Sequence, residues 1–179
     1  MIKYIAFLRA INVGGKNLIK MDELKKRFTT LGFKNVRTYI QSGNVIFQSF
    51  TSDQNVLAKK IENLLHDNLS DDVLVFIRTS EQLKSIVDGV LFQKLKFKLP
   101  TKLYISFLQD GIKQKPQMPY LSPKKDVEIM GIKNREIYYI TPEIRGRYGF
   151  PNLFIEKEFG VKSTTRNWNT IIKVTDLVQ

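Results

Sequence analysis

Hydrophobic and polar residues in the first half of the chain follow two alternating spacings. Runs of consecutive β-branched and aromatic residues predict strands, and segments in which apolar residues recur every three or four positions predict helices. In chain order, the predicted elements are a strand at 3–9, a helix from Met21 to Leu31, strands at 36–41 and 44–48, a helix at 56–65 and a strand at 73–78. The order βαββαβ is that of a split-βαβ, or ferredoxin-like, unit.

Small and polar residues mark the ends of these elements. Ser42-Gly43 separates two β-type runs and predicts a two-residue hairpin connection, in which the glycine adopts a positive φ. Either Ser52 or Asp53 is expected to cap the second helix. Thr79 and Gln82 have the spacing of a capping box at the start of a third helix.

The second half of the chain restarts the same order of elements less completely. A strand at 102–108 is followed by a Pro- and Lys-rich connection, 111–125, with room for a short helix near 118–121. The remaining predicted elements are strands at 127–132 and 136–140, a helix at 152–159, an extended segment at 162–164 and a last helix from about Thr165. We find no repeat of residues between the halves, so the duplication is predicted from the element order alone.

The expected fold class is therefore α+β, with two tandem ferredoxin-like (α/β-plait) units packed together and a C-terminal helix. The first unit, with its linking helix, is predicted at 1–98 and the second at 99–179. Both faces of the first strand are apolar, since Ile5 and Phe7 alternate with Ala6 and Leu8. The helices of such a unit cover only one face of the sheet, so the second unit or a second copy of the chain is expected to cover the other.

Composition restricts the possible chemistry. The chain has no Cys, which excludes disulfides, thiolate nucleophiles and thiolate metal sites, and it has one His. No run approaches the ~20 apolar residues that span a bilayer. We expect a cytoplasmic protein that does not bind membranes and has no metal, no cofactor and no catalytic residues.

The formal net charge is +12, and the excess is concentrated. Residues 91–125 contain eight lysines and a single acidic residue, Asp110. Such a segment predicts attraction of polyanions, although lysines also solubilise surfaces and protect edge strands. The predicted basic patch consists of Lys96, Lys102, Lys113, Lys115, Lys124, Arg145 and Arg147.

Two stretches of the chain carry a specific resemblance to known proteins. They are FLRAINVGGKN at 7–17, followed by LGF at 31–33 and TYIQSGNVIF at 38–47, and TTRNWNT at 164–170. Together they resemble a bacterial family catalogued as domain of unknown function family 1697. The resemblance implies paired α/β-plait subdomains and no agreed activity. The family usually has glycine where this chain has Ala10, so we expect no positive φ at that position.

The loop from Arg9 to Lys16 is the first candidate site. Two glycines and a lysine suggest phosphate binding, but the spacing of a nucleotide P-loop is absent. The alternatives are a looser anion site and a structural strand-to-helix turn. Because the resembling stretches recur together, the loop is expected to approach Ser42–Asn44 or Arg166–Asn167. The predicted anion site consists of Arg9, Asn12, Gly14, Gly15, Lys16, Ser42, Asn44, Arg166 and Asn167.

Other residues offer weaker chemistry. Ser42 has no predicted base, because the single histidine, His66, lies near the polar end of a helix and is expected on the solvated surface. Arg145-Gly146-Arg147-Tyr148 does not match the aromatic strand of an RNA-recognition module, but its arginines and tyrosine suit a loop that binds phosphate or stacks on a base.

Three classes of function remain. The leading hypothesis is a non-enzymatic protein that binds nucleic acid or another polyanion through basic loops. The second is a protein that binds, or acts enzymatically on, a small phosphorylated or carboxylated ligand. The third is a protein–protein interaction module, possible as a homodimer through an exposed sheet face.

Overall fold

The computed structural model describes residues 1–70, 72–89, 92, 100–114, 116–149 and 151–179. In these residues the fold is α+β, with two antiparallel sheets and five helices. The chain divides into two compact units, Met1–Ile86 with Lys173–Gln179, and Val87–Ile172. The boundary expected between residues 98 and 99 lies outside the described residues.

The first unit contains the predicted series of elements. They are β1 (Ile2–Leu8), α1 (Met21–Thr30), β2 (Lys34–Tyr39), β3 (Asn44–Ser49), α2 (Gln54–His66) and β4 (Val75–Thr79), followed by α3 (Ser80–Val87). The strands form an antiparallel sheet in the order β2-β3-β1-β4. Asp53 caps α2, since its carboxylate accepts hydrogen bonds from the backbone N–H groups of Asn55 and Val56.

The capping box at the start of α3 is confirmed. The backbone N–H of Gln82 donates to the Thr79 hydroxyl at 3.1 Å, and the backbone N–H of Thr79 donates to the Gln82 side-chain oxygen at 2.9 Å. Two backbone donors at the helix start are thereby satisfied.

The core of the first unit lies between the sheet and helices α1 and α2. Tyr4, Ala6 and Leu8 of β1 are buried on this face. Phe47 of β3 is in ring contact with Tyr4 at 5.5 Å and with Phe28 of α1 at 5.7 Å. Each fully buried aromatic side chain of this kind contributes about 1.5–3 kcal/mol through removal of apolar surface from water.

Among the described residues, the second unit has fewer helices than the first. Its elements are β5 (Thr101–Leu108), β6 (Tyr120–Leu121), β7 (Glu128–Lys133), β8 (Glu136–Pro142), α4 (Pro151–Phe159), β9 (Ser163–Asn167) and α5 (Trp168–Val178), of which the end of α5 is counted with the first unit. The strand order is β6-β7-β8-β5-β9.

Two predictions for the second unit are wrong. The short helix expected near 118–121 is absent from those residues, because Tyr120 and Leu121 pair with β7 as an edge strand. The last helix begins at Trp168 instead of Thr165, because the residues from Ser163 to Asn167 pair with β5.

The two central strands contain a residue repeat that the element order did not reveal. Tyr4–Leu8 reads YIAFL and Tyr104–Leu108 reads YISFL, so four of the five residues are identical. The strand pairing places them equivalently, since Ile5 is opposite Arg78 in β4 and Ile105 is opposite Arg166 in β9. The expectation that no residue repeat exists is therefore corrected.

The central strands are buried on both faces over Tyr4–Leu8 of β1 and Ile105–Leu108 of β5. Ile5 and Phe7 point away from α1 and α2, and they are buried, as are Ile105 and Phe107 of β5. These four residues are not accessible, and a homodimer through another, exposed sheet face stays a prediction.

The β2–β3 connection is longer than predicted and is held against β1. It has four residues, 40–43, instead of two, and both Ile40 and Gly43 have positive φ. The backbone N–H of Leu8 donates to the Gly43 carbonyl at 2.8 Å. A Cβ atom added at Gly43 would lie 2.8 Å from the Leu8 Cβ, so this close approach requires glycine.

We predict that Gly43→Ala destabilises the protein by about 3 kcal/mol, because the substitution adds steric overlap to left-handed backbone strain. Gly14→Ala is the matched control: Gly14 also has a positive φ, but no atom lies within 4 Å of its added Cβ. The control should lose only about 1 kcal/mol. Urea unfolding measures both, and equal losses would contradict the packing argument.

Candidate functional site

The loop between β1 and α1 is a small hairpin. The backbone N–H of Asn12 donates to the Asn17 carbonyl at 3.2 Å, and that of Lys16 donates to the Val13 carbonyl at 3.1 Å. Gly14 and Gly15, at φ 59° and 74°, form the two-residue turn. Such a turn needs positive φ at both central positions, which accounts for the glycines without a bound phosphate.

Ala10 adopts a positive φ of 60°, so the expectation at this position is wrong. The Asn17 side chain donates to the Ala10 carbonyl at 3.0 Å, and the backbone N–H of Asn12 joins the hairpin directly after it. The surrounding loop therefore holds an alanine in a conformation that costs about 1–2 kcal/mol.

Asparagine side chains join this loop to the β2–β3 connection. Asn12 donates to the carbonyls of Ile19 and Gln41, both at 3.0 Å, and accepts from the backbone N–H of Ile19 at 2.8 Å. Asn44 is fully buried and donates to the Tyr39 carbonyl and the Ser42 hydroxyl, both at 3.0 Å. The loop thus approaches Ser42–Asn44, and these asparagines stabilise the junction.

Arg9 and Lys16, the two cations of the loop, lie in different surroundings. The Arg9 guanidinium lies 3.5 Å from the main-chain oxygen of Asp72, beside the start of β4. Lys16 is exposed next to the hairpin turn. Anion binding at this loop stays a prediction.

Arg166 and Asn167 belong to the second unit. Arg166 is buried in β9, where it donates to the Thr164 hydroxyl at 2.9 Å and to the Thr165 carbonyl at 2.7 Å. Burial lowers the pKa of the Arg166 guanidinium to about 10, which leaves it charged at neutral pH. The expected approach of the Arg9–Lys16 loop to these residues concerns two separate units and stays a prediction.

His66 differs from the solvated surface residue that we expected. It is half-buried, and its Nε2 atom lies 2.8 Å from the Val73 carbonyl oxygen, so it joins the end of α2 to the segment before β4. Among the described residues, no group of three or more His, Asp and Glu side chains could hold a metal ion.

The predicted basic patch is divided between the two ends of β5. Lys102 lies near the start of this strand, and the strand rises about 20 Å from there to its end. Lys113 follows the end of β5 and lines an open cleft of about 830 Å³ beside Glu158. Lys96 and Lys115 lie outside the described residues.

The other predicted cations lie at the Lys102 end of the sheet. Thr101 of β5 pairs with Pro142, the last residue of β8, so the Arg145–Arg147 turn that follows β8 is at this end. Glu128, the first residue of β7, pairs with Ile140 near the same point, which brings Lys124 close to this end. We call this set, Lys102, Lys124, Lys125, Arg145 and Arg147, the basic end.

Two tight turns shape the basic end. The Lys125 N–H donates to the Ser122 carbonyl at 2.8 Å, and the Arg147 N–H donates to the Ile144 carbonyl at 3.0 Å. The segments that carry the turns touch at Gly149, where an added Cβ would lie 2.6 Å from the Asp126 carbonyl oxygen. The exposed cations of both turns are therefore close together on short, hydrogen-bonded segments.

An aromatic residue accompanies these cations. The Lys102 ammonium lies 3.9 Å from the centre of the Tyr148 ring, within the range of a cation–π interaction. The Tyr148 hydroxyl donates to the Glu143 carboxylate at 3.1 Å, and burial together with this bond raises the pKa of Tyr148. Sequence reasoning named the arginines of this loop but not the pairing of Lys102 with Tyr148, which depends on the sheet register.

The second unit also contains a buried hydroxyl cluster that sequence reasoning missed. The Thr165 hydroxyl lies 2.6 Å from the Ser106 hydroxyl. It accepts a hydrogen bond from the Tyr139 hydroxyl and donates one to the Asn152 side-chain oxygen, both at 3.1 Å. Burial raises the pKa of Tyr139, which keeps its hydroxyl protonated. The signal available in the sequence was the repeat itself, in which Ser106 replaces the equivalent Ala6.

The sheets and helices place the chain in the α+β class. Residues 1–138 match the model of a family described as a protein of unknown function, DUF1697, and the chain belongs to this family. No curated protein matches the chain.

A solved structure shares the fold. It is described as conserved bacterial protein SP0830 from Streptococcus pneumoniae, and the match has a TM-score of 0.74, 20% sequence identity and coverage of 99% of each chain. Within the described part of our chain, no helix has the length and apolar composition that crossing a bilayer requires.

We predict that Thr165→Val destabilises the protein by about 1–3 kcal/mol, because it removes the shared partner of two buried hydroxyls, those of Ser106 and Tyr139, and of the half-buried Asn152 side chain. The triple variant Ser106→Ala, Tyr139→Phe and Thr165→Val should recover most of this loss, since it recreates the apolar character of Ala6, Phe47 and Ile77 at the equivalent positions of the first unit. Urea unfolding provides the comparison. A triple variant less stable than Thr165→Val alone would contradict this interpretation.

Proposed function

We propose that this protein binds nucleic acid or another polyanion, without catalysing a reaction, at the basic end of the second unit. The observation that carries the proposal is the convergence of the basic-end residues at one end of a sheet. These residues come from three separate segments of the sequence, at 102, 124–125 and 145–147, and strand pairing brings the segments together. A group of cations on one exposed end attracts phosphates at long range and neutralises several of them at contact.

The three acidic residues at this end, Asp126, Glu128 and Glu143, are half-buried and do not balance the five cations. Asp126 accepts a hydrogen bond from the Ser122 hydroxyl at 2.8 Å, and Glu143 accepts one from Tyr148. Both carboxylates are therefore held within the turns, whereas Lys124, Arg145 and Arg147 are exposed to solvent. The accessible charge of the basic end is positive.

Tyrosines supply the second element of polyanion recognition. Tyr148 is half-buried beneath Lys102, and Tyr104 of the same unit is half-buried with its ring stacked on Tyr139 at 5.7 Å. Partly accessible aromatic rings beside arginines favour single-stranded nucleic acid, because unpaired bases stack on them.

The fold supports a finer description, which is also part of the proposal: each unit follows the ferredoxin-like plan. In the first unit the strands are ordered β2-β3-β1-β4, and β7-β8-β5-β9 is the same order in the second. The connection between β5 and β7 takes the place of the first helix of that plan. In this description the basic end belongs to the unit in which the described residues between β5 and β7 form no helix. We also propose that the protein is located in the cytoplasm.

The test is fluorescence anisotropy with a labelled random-sequence single-stranded oligonucleotide at several salt concentrations. We predict that the triple variant Lys124→Gln/Arg145→Gln/Arg147→Gln binds the oligonucleotide about tenfold more weakly than the wild-type protein. The negative slope of log K against log salt should become less steep by about 2, since three phosphate contacts are lost. The matched control, Lys113→Gln, Lys157→Gln and Lys162→Gln, removes the same charge from exposed positions at the opposite end of the unit.

Equal loss of binding in the two triple variants would reduce the interaction to net charge and contradict a defined site. If the wild-type protein does not bind the oligonucleotide at low salt, the proposal itself is rejected. Thermal unfolding of both variants controls for loss of structure.

A further inference from the structure

A polar cavity of about 280 Å³ lies in the first unit, on the sheet face away from α1 and α2. Strands β1, β2 and β3 form its floor, and the last residues of α5 form one wall. We propose that this cavity binds a small phosphorylated or carboxylated ligand. It shares no residue with the basic end, so this inference stands apart from the proposed function.

An irregularity in β2 places a cation over the cavity. Lys34 pairs with Gln48 and Arg37 pairs with Ile46, so β2 has one residue more than β3 between these pairs. This β-bulge, in which Asn35 has a φ of 52°, directs Val36 into the core and Arg37 to the cavity face. Without the extra residue, Val36 would lie opposite Ile46 and the arginine would point to the other face.

The polar groups around the cavity suit an anion. Arg37 is exposed and offers a planar guanidinium that binds carboxylate or phosphate oxygens in pairs. Lys3 adds a second cation from β1, and its ammonium donates to the main-chain oxygen of Gln179. Asn35 donates to the Gln48 side-chain oxygen at 2.9 Å, a bond that does not use the amide donors of Gln48.

The fold does not require this polarity, as the second unit shows. By strand register, the positions equivalent to Lys3, Arg37 and Gln48 are Leu103, Gly131 and Ile140. The same sheet position is therefore built from apolar and small residues in one unit and from two cations and an amide in the other. This difference between equivalent positions of the two units is the observation that supports a ligand of the first unit.

The size and walls of the cavity limit the ligand. Its volume, about 280 Å³, lies just below the roughly 300–1,000 Å³ that is typical of ligand sites, so only a small ligand fits. Ile46 on the floor and Leu177 on the wall are apolar. A single anionic group on a short body therefore fits, with the anion between Arg37 and Lys3 and the body against these two side chains.

The experiment is a titration of ¹⁵N-labelled protein, followed by NMR, with inorganic phosphate, glycerol phosphate and butyrate as separate probes and with chloride at matched ionic strength as the control. We expect saturable chemical-shift changes of the backbone amides of Lys3, Arg37 and Gln48, with a dissociation constant of about 1 mM for at least one probe. Preference for phosphate or for butyrate identifies the anionic group. Arg37→Gln and Gln48→Leu should each weaken binding at least about tenfold, because each bond to a charged group contributes about 1.5–3 kcal/mol.

Lys26→Gln is the matched control, since Lys26 is an exposed cation on α1, on the opposite side of the sheet. It should bind the probe like the wild-type protein. The variant of the basic end should also bind normally, which separates this site from the polyanion site. Shifts that follow chloride, that weaken equally in Lys26→Gln, or that do not saturate for any probe would overturn the inference.

Discussion

Antiparallel pairing of a central strand on both of its sides is the interaction on which each unit depends. In the first unit β1 lies between β3 and β4, and in the second β5 lies between β8 and β9. Tyr4–Leu8 of β1 and Ile105–Leu108 of β5 are buried on both faces, and a shift of register by one residue would exchange every side chain between the faces. The register therefore fixes which loops meet at each end of the sheet, and with them the candidate sites.

The two units share the same strand register but differ in which face of the sheet carries polar side chains. Stacked pairs occupy equivalent positions, Tyr4 with Phe47 and Tyr104 with Tyr139. In the first unit, α1 covers this pair with Phe28, and the core is apolar. In the second unit the core contains the hydroxyl groups of Ser106 and Tyr139, and Tyr104 is half-buried. The first unit places its polarity on the other face, in the Lys3–Arg37 cavity. Comparison of equivalent positions thus separates the side chains that the fold needs from the polar ones for which we propose a ligand.

Local features of the sequence predicted local structure well. The order of elements in the first unit, the Thr79–Gln82 capping box and the positive φ of Gly43 all follow from spacing within a few residues, whereas the contact of Gly43 with Leu8 does not. The positive φ of Ala10 could not be predicted, because it depends on a hydrogen bond from Asn17 and on the hairpin between them. Residue type alone argued against it.

Features that depend on pairing between distant strands were beyond sequence reasoning. The bulge that redirects Arg37 is defined only against β3, and the pairing of Lys102 with Tyr148 only through β8. The start of α5 was misplaced because Thr165 has a favourable capping residue type but is held in β9 by its pairing with Ser106. The basic segment was found from composition, yet only the sheet showed that Lys113 lies at the other end from Lys102.

The most direct measurement of the central claim, that strand pairing builds a polyanion site at the basic end, is photo-crosslinking. The wild-type protein would be irradiated with a random RNA oligonucleotide that contains thiouridine, and the crosslinked peptides would be identified by mass spectrometry. The account predicts crosslinks that concentrate at Tyr148, Tyr104 and the two turns of the basic end and that disappear at high salt. Crosslinks centred on the Arg9–Lys16 loop, or spread evenly over both units, would contradict it.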